Sequence, residues 1–351
     1  MKRVDASELV PGMVVAAELM SADGMLKLLE SGVRLTPSQI AKIREWGVAR
    51  IAIVGEGYGN KARQSGVRRT ESEFAAIYEN TVNDIIDAFR DFDKTKNLPL
   101  LQVQELAEQR IPLLVETMGA IEFLDKIRTH SEQTFRHSLD VAVIAGILGK
   151  WLERRGPELQ NIILAGLLHD IGKLAVPVAI LEKPGPLSPA EFAVIKRHSR
   201  EGYHLVRQFG AVDDGVLRGI LQHHERLDGS GYPDGLTGDD ICFEAEVIAI
   251  ADIYHAMTSD RAYRRKMTPF AAMEAIAGEM FKKLSPAVSI TFIANMKDRL
   301  LGCGVRLTDG QTAKVIGFSN RDKYFTEPVV CTEKGDLVDL KSGEISIAGI
   351  Q

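Results

Sequence analysis

The chain of 351 residues is poor in cysteine, in aromatic residues and in net positive charge, and each shortage narrows what it can do. Its three cysteines, Cys242, Cys303 and Cys331, are scattered and odd in number. They read as reduced thiols, offering neither a disulfide framework nor the spacing of a zinc site. Aromatic residues make up 6% of the chain, and the formal net charge is −5. A general nucleic-acid binder would present a basic surface, so this balance argues against a nucleic acid polymer as partner. A small anion held by a local basic cluster stays open. Long hydrophobic runs are missing too. VAVIAGILG, from Val141, is among the longest and falls far short of the roughly 20 residues that span a bilayer. The opening MKRVDASELVPGMVV has no sustained apolar segment of signal-peptide type. The expectation is a cytoplasmic protein with no membrane insertion.

What is present is ordinary for a folded protein: 45% apolar and 26% charged residues, in a chain long enough for two or three domains. Residues 1–55 read as a small α/β domain, with strand-like runs GMVVAAEL, GMLKLLESG and VARIAIV around one helix. Residues 56–70 are rich in glycine and basic side chains and read as a linker. From Glu71 a stripe of Phe74, Ile77, Val82, Ile85, Phe89 and Phe92 predicts an amphipathic helix. It either packs on its own domain or, over 71–95, offers a homodimer contact. Residues 71–128 thus lead by amphipathic helices into a core. From Leu98 to about Leu301 the pattern is helical almost throughout, with 129–301 as the core domain. After Gly302 it changes to strand, Asp-Gly turn and strand, so 302–351 reads as a small β-rich domain. The fold class is mainly α, with small mixed and β-rich parts at the two ends.

The helical region holds an unusual set of side chains. Only eight histidines occur in the chain, yet His223 and His224 stand side by side ahead of a glycine-rich loop. Adjacent residues on a helix point about 100° apart, so core packing explains at most one of them. His137 lies in an apolar helix, His169 and Asp170 are neighbours with Lys173 one turn beyond, and His198 stands alone. Asp252 is flanked by Ile248, Ala249, Ile250, Ala251 and Ile253, where a carboxylate is costly without a cation or donors. Imidazole and carboxylate groups from several helices suggest a convergent metal site, too large for one tetrahedral ion and suited to two ions sharing a carboxylate. The absence of cysteine among them favours iron or manganese. Such a pair would lower the pKa of a bridging water and stabilise charge on a phosphoryl oxygen. Lys173 is placed to hold a phosphate by point charge.

HDIGK at 169–173, HHERLDGSGYPDGLTG at 223–238 and ADIYHAMTSDRAYR at 251–264 occur in order, and together they resemble the HD-GYP domain. That domain is a subgroup of the HD metal-dependent phosphohydrolases. The resemblance covers roughly Glu132 to Leu301. It implies an all-α helical bundle with a bi- or trinuclear iron or manganese centre, and hydrolysis of cyclic di-GMP to pGpG or onward to GMP. It also implies that His137, His169, Asp170 and Asp252 bind one metal, and that Asp170 bridges to a second completed by His198, His223 and His224. Asp170 and Lys173 would carry the chemistry, with Lys173 on the scissile phosphate. Gly231, Tyr232 and Pro233 would face the guanine nucleotide, and Arg261 and Arg264 its phosphates.

Two positions depart from the family pattern. Gln133 stands where trinuclear members place a glutamate ligand, so two metals are expected. His255 stands where the family usually has an aspartate. A histidine there could donate a proton, add a metal contact, or leave the site weakened. Three readings follow: a cyclic di-GMP phosphodiesterase, a weakened domain serving as a cyclic dinucleotide receptor or protein-interaction module, and a phosphohydrolase for another nucleotide.

Overall fold

The computed structural model describes residues 2–6, 9, 13, 15, 19–20, 27–29, 35, 40, 43, 48, 50–53, 66–90, 92–95, 97–127, 133–259, 266–318, 327–340 and 345–350. The chain divides into two compact units, Met1–Arg68 and Arg69–Gln351. In the first, Lys2–Asp5 pairs antiparallel with Arg50–Ile53, and Leu19–Met20 with Lys27–Leu29. Val4, Leu9, Val15, Leu35, Ile40, Ile43 and Ile51 form its core.

The second unit is a helical body with one sheet. Its first helix, Glu71–Phe89, begins where the sequence supplies a complete capping box. The Thr70 hydroxyl accepts from the Glu73 N–H, and the Glu73 carboxylate accepts from the Thr70 N–H. Phe74, Tyr78, Val82, Ile85 and Phe89, spaced by three or four residues, bury one stripe of this helix in the chain's own core. Arg90 N–H turns back to the Asp87 carbonyl, and Phe92 begins a separate short helix, Phe92–Thr95.

Five further helices carry the residues of chemical interest. They are Gln133–Trp151, Gly156–Leu168, His198–Phe209, Asp214–Gln222 and Phe243–Thr258. A short 3-10 turn, Ile171–Ala175, follows the second of them. Gly156–Leu168 buries seven consecutive residues, Ile162 to Leu168, and Phe243–Thr258 buries nearly its whole apolar run. Each fully buried Ile, Leu or Val there stabilises the fold by about 1.5–3 kcal/mol. These two central helices are therefore the rigid floor from which His169, Asp170 and Asp252 project. Thr268 and Pro269 start Pro269–Glu279 as their cap chemistry predicts, with the Thr268 hydroxyl accepting from Ala271 N–H.

The C-terminal segment forms a five-stranded antiparallel sheet in the order Leu337–Asp339, Pro328–Thr332, Thr312–Phe318, Gly304–Leu307, Ile347–Ile350. Its buried face, including Val305, Leu307, Val315 and Val330, joins the same hydrophobic core as the helices. Among the described residues, no helix is long and apolar enough to cross a membrane.

Candidate metal centre

Seven side chains singled out by the sequence converge at one end of the central helices. His137, one turn into Gln133–Trp151, lies with His169 and Asp252 in one group. Asp170, His198, His223 and His224 form a second. His169 and Asp170 cap the end of Gly156–Leu168, His198 opens its helix, and His223 caps Asp214–Gln222. The adjacent pair sits at a helix end, so both rings can turn toward the same group. Their centroids are 4.1 Å apart.

Asp170 joins the two groups with a different oxygen for each. Its Oδ2 lies 3.3 Å from His137 Nε2 and 3.4 Å from His169 Nε2, while its Oδ1 lies 3.3 Å from His198 Nε2. His137 Nε2 is also 3.3 Å from Asp252 Oδ1 and from His169 Nε2, and His198 Nε2 is 3.2 Å from His223 Nε2. A cation with bonds of about 2.1 Å sets neighbouring ligand atoms roughly 3.0 Å apart in an octahedron and 3.4 Å apart in a tetrahedron. The spacing fits. Asp170 Oδ1 is buried and accepts no hydrogen bond, a costly arrangement for a carboxylate oxygen unless a cation meets it.

Hydrogen bonds behind the rings set which nitrogen faces inward. His169, His198 and His223 each place Nδ1 within 2.7–2.8 Å of the carbonyl three residues earlier, on Gly166, Ile195 and Ile220. A carbonyl only accepts, so Nδ1 carries the proton and Nε2 presents a lone pair to the centre. Burial pushes His198 and His223 below the usual histidine range and His224 down to about 3, which keeps these rings neutral. Burial also acts against a charged His137, but the Asp170 and Asp252 carboxylates outweigh it and hold that ring up at about 9. Burial raises the carboxyls, yet Lys173 and His169 beside Asp170, and His137 beside Asp252, hold both well below the usual range. Carboxylates and neutral imidazoles are ligand forms, and the residues present fit a divalent metal centre.

Lys173 places Nζ 2.5 Å from Asp170 Oδ2, at the edge of the same carboxylate, and keeps 29% of its side chain exposed. The loop after the histidine pair folds back on it. Tyr232 N–H donates to the His224 carbonyl, the Tyr232 ring lies against the His224 imidazole with centroids 4.6 Å apart, and a cis peptide leads into Pro233. Gly231 is required by close approach to the chain itself. A Cβ there would lie 2.4 Å from Glu225 Cα and 2.5 Å from the His224 carbonyl oxygen. Arg261 and Arg264 lie outside the described residues.

Sequence reasoning missed two groups that support this site. Glu225, buried between the histidines and the loop, accepts from the backbone N–H groups of Asp234, Gly235 and Leu236 at 2.7, 3.1 and 3.0 Å. One carboxylate thus fixes the loop's return, and its place inside the HHE triplet was the available signal. Asp140, also buried, meets His255 Nε2 through Oδ2 at 2.9 Å. His255 lies outside both ligand groups and touches His137 through its Nδ1 at 2.7 Å.

Comparison with known proteins agrees with this geometry. The family model described as HD domain matches residues 122–288, the stretch that contains all seven side chains. A cyclic di-GMP phosphodiesterase of Pseudomonas aeruginosa is 33% identical over 232 residues, covering 66% of this chain and 56% of the relative. A 3'3'-cGAMP-specific phosphodiesterase of Vibrio cholerae is 42% identical over 169 residues, covering 47% of this chain and 39% of the relative. The chain therefore spans about half the length of the curated relatives it matches. A solved HDG"Y"P protein from Bdellovibrio bacteriovorus superposes with a TM-score of 0.54 at 18% identity, over 85% of this chain and 99% of that one, and so shares the fold. Residues 122–288 are thus similar to the HD domain family, and the HD pair, the histidine pair and the GYP loop all lie within that stretch.

Proposed function

We propose that this chain is a metal-dependent phosphodiesterase that hydrolyses cyclic di-GMP to pGpG or GMP. The chemistry is assigned to the domain at 129–301, with 1–55 and 302–351 as accessory domains. One observation carries the reading: Asp170 faces one ligand group with Oδ2 and the other with Oδ1. His137, His169, Asp252 and Asp170 would hold one divalent ion, and Asp170, His198, His223 and His224 the second. The donors are carboxylate and imidazole without thiolate, which suits iron or manganese. When bound, such a pair activates water and polarises a phosphoryl oxygen.

The chain's own residues supply the rest. Two carboxylates against two divalent ions leave the centre positive, so it attracts a phosphodiester. Lys173, partly exposed beside Asp170, adds an ammonium where a phosphate oxygen would approach. Tyr232 is held by the His224 ring and by Gly231 and Pro233 as one wall for a guanine base. Arg261 and Arg264 are assigned to the phosphates on their basic sequence, SDRAYRRK. Names of relatives support the substrate, since the Pseudomonas aeruginosa protein is called a cyclic di-GMP phosphodiesterase. The name of the Vibrio cholerae relative favours a second reading, cleavage of another cyclic dinucleotide.

The test is to load the protein with iron or manganese under anaerobic conditions, add cyclic di-GMP or 3'3'-cGAMP separately, and resolve the products. Release of pGpG or GMP from cyclic di-GMP is expected. Cleavage of 3'3'-cGAMP alone selects the second reading, and binding without cleavage selects a receptor.

Metal uptake is expected to depend on pH through His137. In protein stripped of metal this ring is held at about 9, so at pH 7 a metal must displace its proton. His198, His223 and His224 are pushed the other way and have no proton to release at that pH. Affinity should therefore rise about tenfold from pH 7 to pH 8 and level off above pH 9. Calorimetry in buffers of different ionisation enthalpy would count the proton. Uptake without proton release would contradict this assignment.

A further inference from the structure

Four of the five candidate ligand histidines are oriented inside their own motifs. His169, His198 and His223 are tied to carbonyls of the preceding turn, and His224 lies against Tyr232. His137 is different. Its Nδ1 meets His255 Nδ1 at 2.7 Å, His255 Nε2 meets Asp140 Oδ2 at 2.9 Å, and the Tyr78 hydroxyl donates to Asp140 Oδ1 at 2.8 Å.

The direction of this chain of hydrogen bonds follows from its far end. A carboxylate offers only acceptors, so Asp140 receives protons from both the Tyr78 hydroxyl and His255 Nε2. Ser259 agrees with this: its Oγ donates to the His255 carbonyl at 2.7 Å and leaves a lone pair 3.0 Å from His255 Nε2. A neutral His255 with its proton on Nε2 presents a lone pair at Nδ1. His137 must then donate from its own Nδ1, so the Nε2 that faces Asp170 and Asp252 is the nitrogen that would offer a lone pair once a metal displaces its proton.

We propose that Tyr78, Asp140 and His255 are positioning residues that fix His137 as a ligand of the first metal. Through Tyr78, the affinity of that metal is tied to the helix Glu71–Phe89. This rests on the metal-centre reading above. Helix Glu71–Phe89 lies before the residues matched by the HD domain family model, so the relay joins the centre to a segment outside that domain. The relay also accounts for histidine at 255. An aspartate there would set two acceptor-only groups, its own carboxylate and that of Asp140, face to face. An imidazole, donor on one side and acceptor on the other, joins an acceptor to a donor.

The experiment titrates Mn²⁺ into the full chain stripped of metal, comparing wild type with Tyr78→Phe, His255→Leu and His255→Gln. His255→Leu should weaken one of two Mn²⁺ sites by roughly 10–100-fold and Tyr78→Phe by about tenfold, with the other site unchanged. His255→Gln keeps one acceptor and one donor and should restore binding to within a few-fold of wild type. In ¹⁵N-labelled protein loaded with zinc, a slowly exchanging His137 Nδ1–H resonance should be present in wild type and His255→Gln and absent in His255→Leu. Thermal melts check folding. If His255→Leu does not fold, Tyr78→Phe, which keeps the buried ring, decides alone. Unchanged Mn²⁺ binding in the folded variants, or equal weakening of both sites, overturns the relay while leaving the metal centre standing. Failure of the wild-type protein to bind Mn²⁺ would instead overturn the metal centre itself.

Discussion

Asp170→Asn is expected to empty both metal sites at once and to lower phosphodiesterase turnover by on the order of 10³-fold or more. The amide keeps the shape of the side chain but gives up the charge, and only one of its two positions can still serve as a ligand. Because Oδ2 faces His137 and His169 while Oδ1 faces His198, neither group keeps a full anionic set. Asp252→Asn is the informative contrast. Its Oδ1 meets only the first group, so that variant should weaken one ion and spare the other. Elemental analysis of the two purified variants beside the wild type measures this. Retention of two ions by Asp170→Asn would show that the carboxylate does not bridge.

The second large effect is expected at a residue with no side chain. Gly172 lies in the 3-10 turn directly after Asp170 and packs on the helix His198–Phe209. A Cβ there would fall 1.9 Å from the His198 carbonyl oxygen and 2.5 Å from the Gly202 nitrogen. Both are backbone atoms, so no side chain can move aside. Gly172→Ala must push the His198 helix away from Asp170, at a cost on the order of 3 kcal/mol. Lower thermal stability and loss of the second ion should therefore appear together, read from a melting curve and from metal content. A variant as stable as wild type, with both ions bound, would contradict the close packing of these two motifs.

The contrast between these positions explains how much of the site was legible in the sequence. Asp252 announced itself because a carboxylate inside an apolar helix has no ordinary solvent-facing role. His223 and His224 did so because two adjacent rings cannot share one apolar stripe. Asp140 gave no such signal. It sits three residues after His137 on the same helix and reads as a surface aspartate until the Tyr78 hydroxyl, 62 residues away, is seen bonded to it. Glu225 was marked only by its place beside the histidine pair, since its three acceptor bonds go to backbone N–H groups that have no sequence signature. Local chemistry leaves a mark on local sequence, whereas partners brought together by packing do not.

The fold divides along the same line. Thr268 with Pro269 and the Asp309-Gly310 turn both formed where their chemistry points. Gly310, with φ of 88°, adopts the left-handed conformation that turn needs. The last strand, Ile347–Ile350, was not legible, because it is short and pairs with Gly304–Leu307 some forty residues earlier. The stop of the first helix at Phe89 was also unmarked, since no proline or glycine follows it and the apolar stripe runs on to Phe92.

Seven side chains carried by or capping five helices would form one centre for two ions joined by Asp170. Counting metal ions per chain in protein purified without oxygen tests it most directly. Two divalent ions per chain, iron or manganese, are expected, both lost in Asp170→Asn. A single ion that survives in Asp170→Asn, or no ion at all in the wild-type protein, would contradict it.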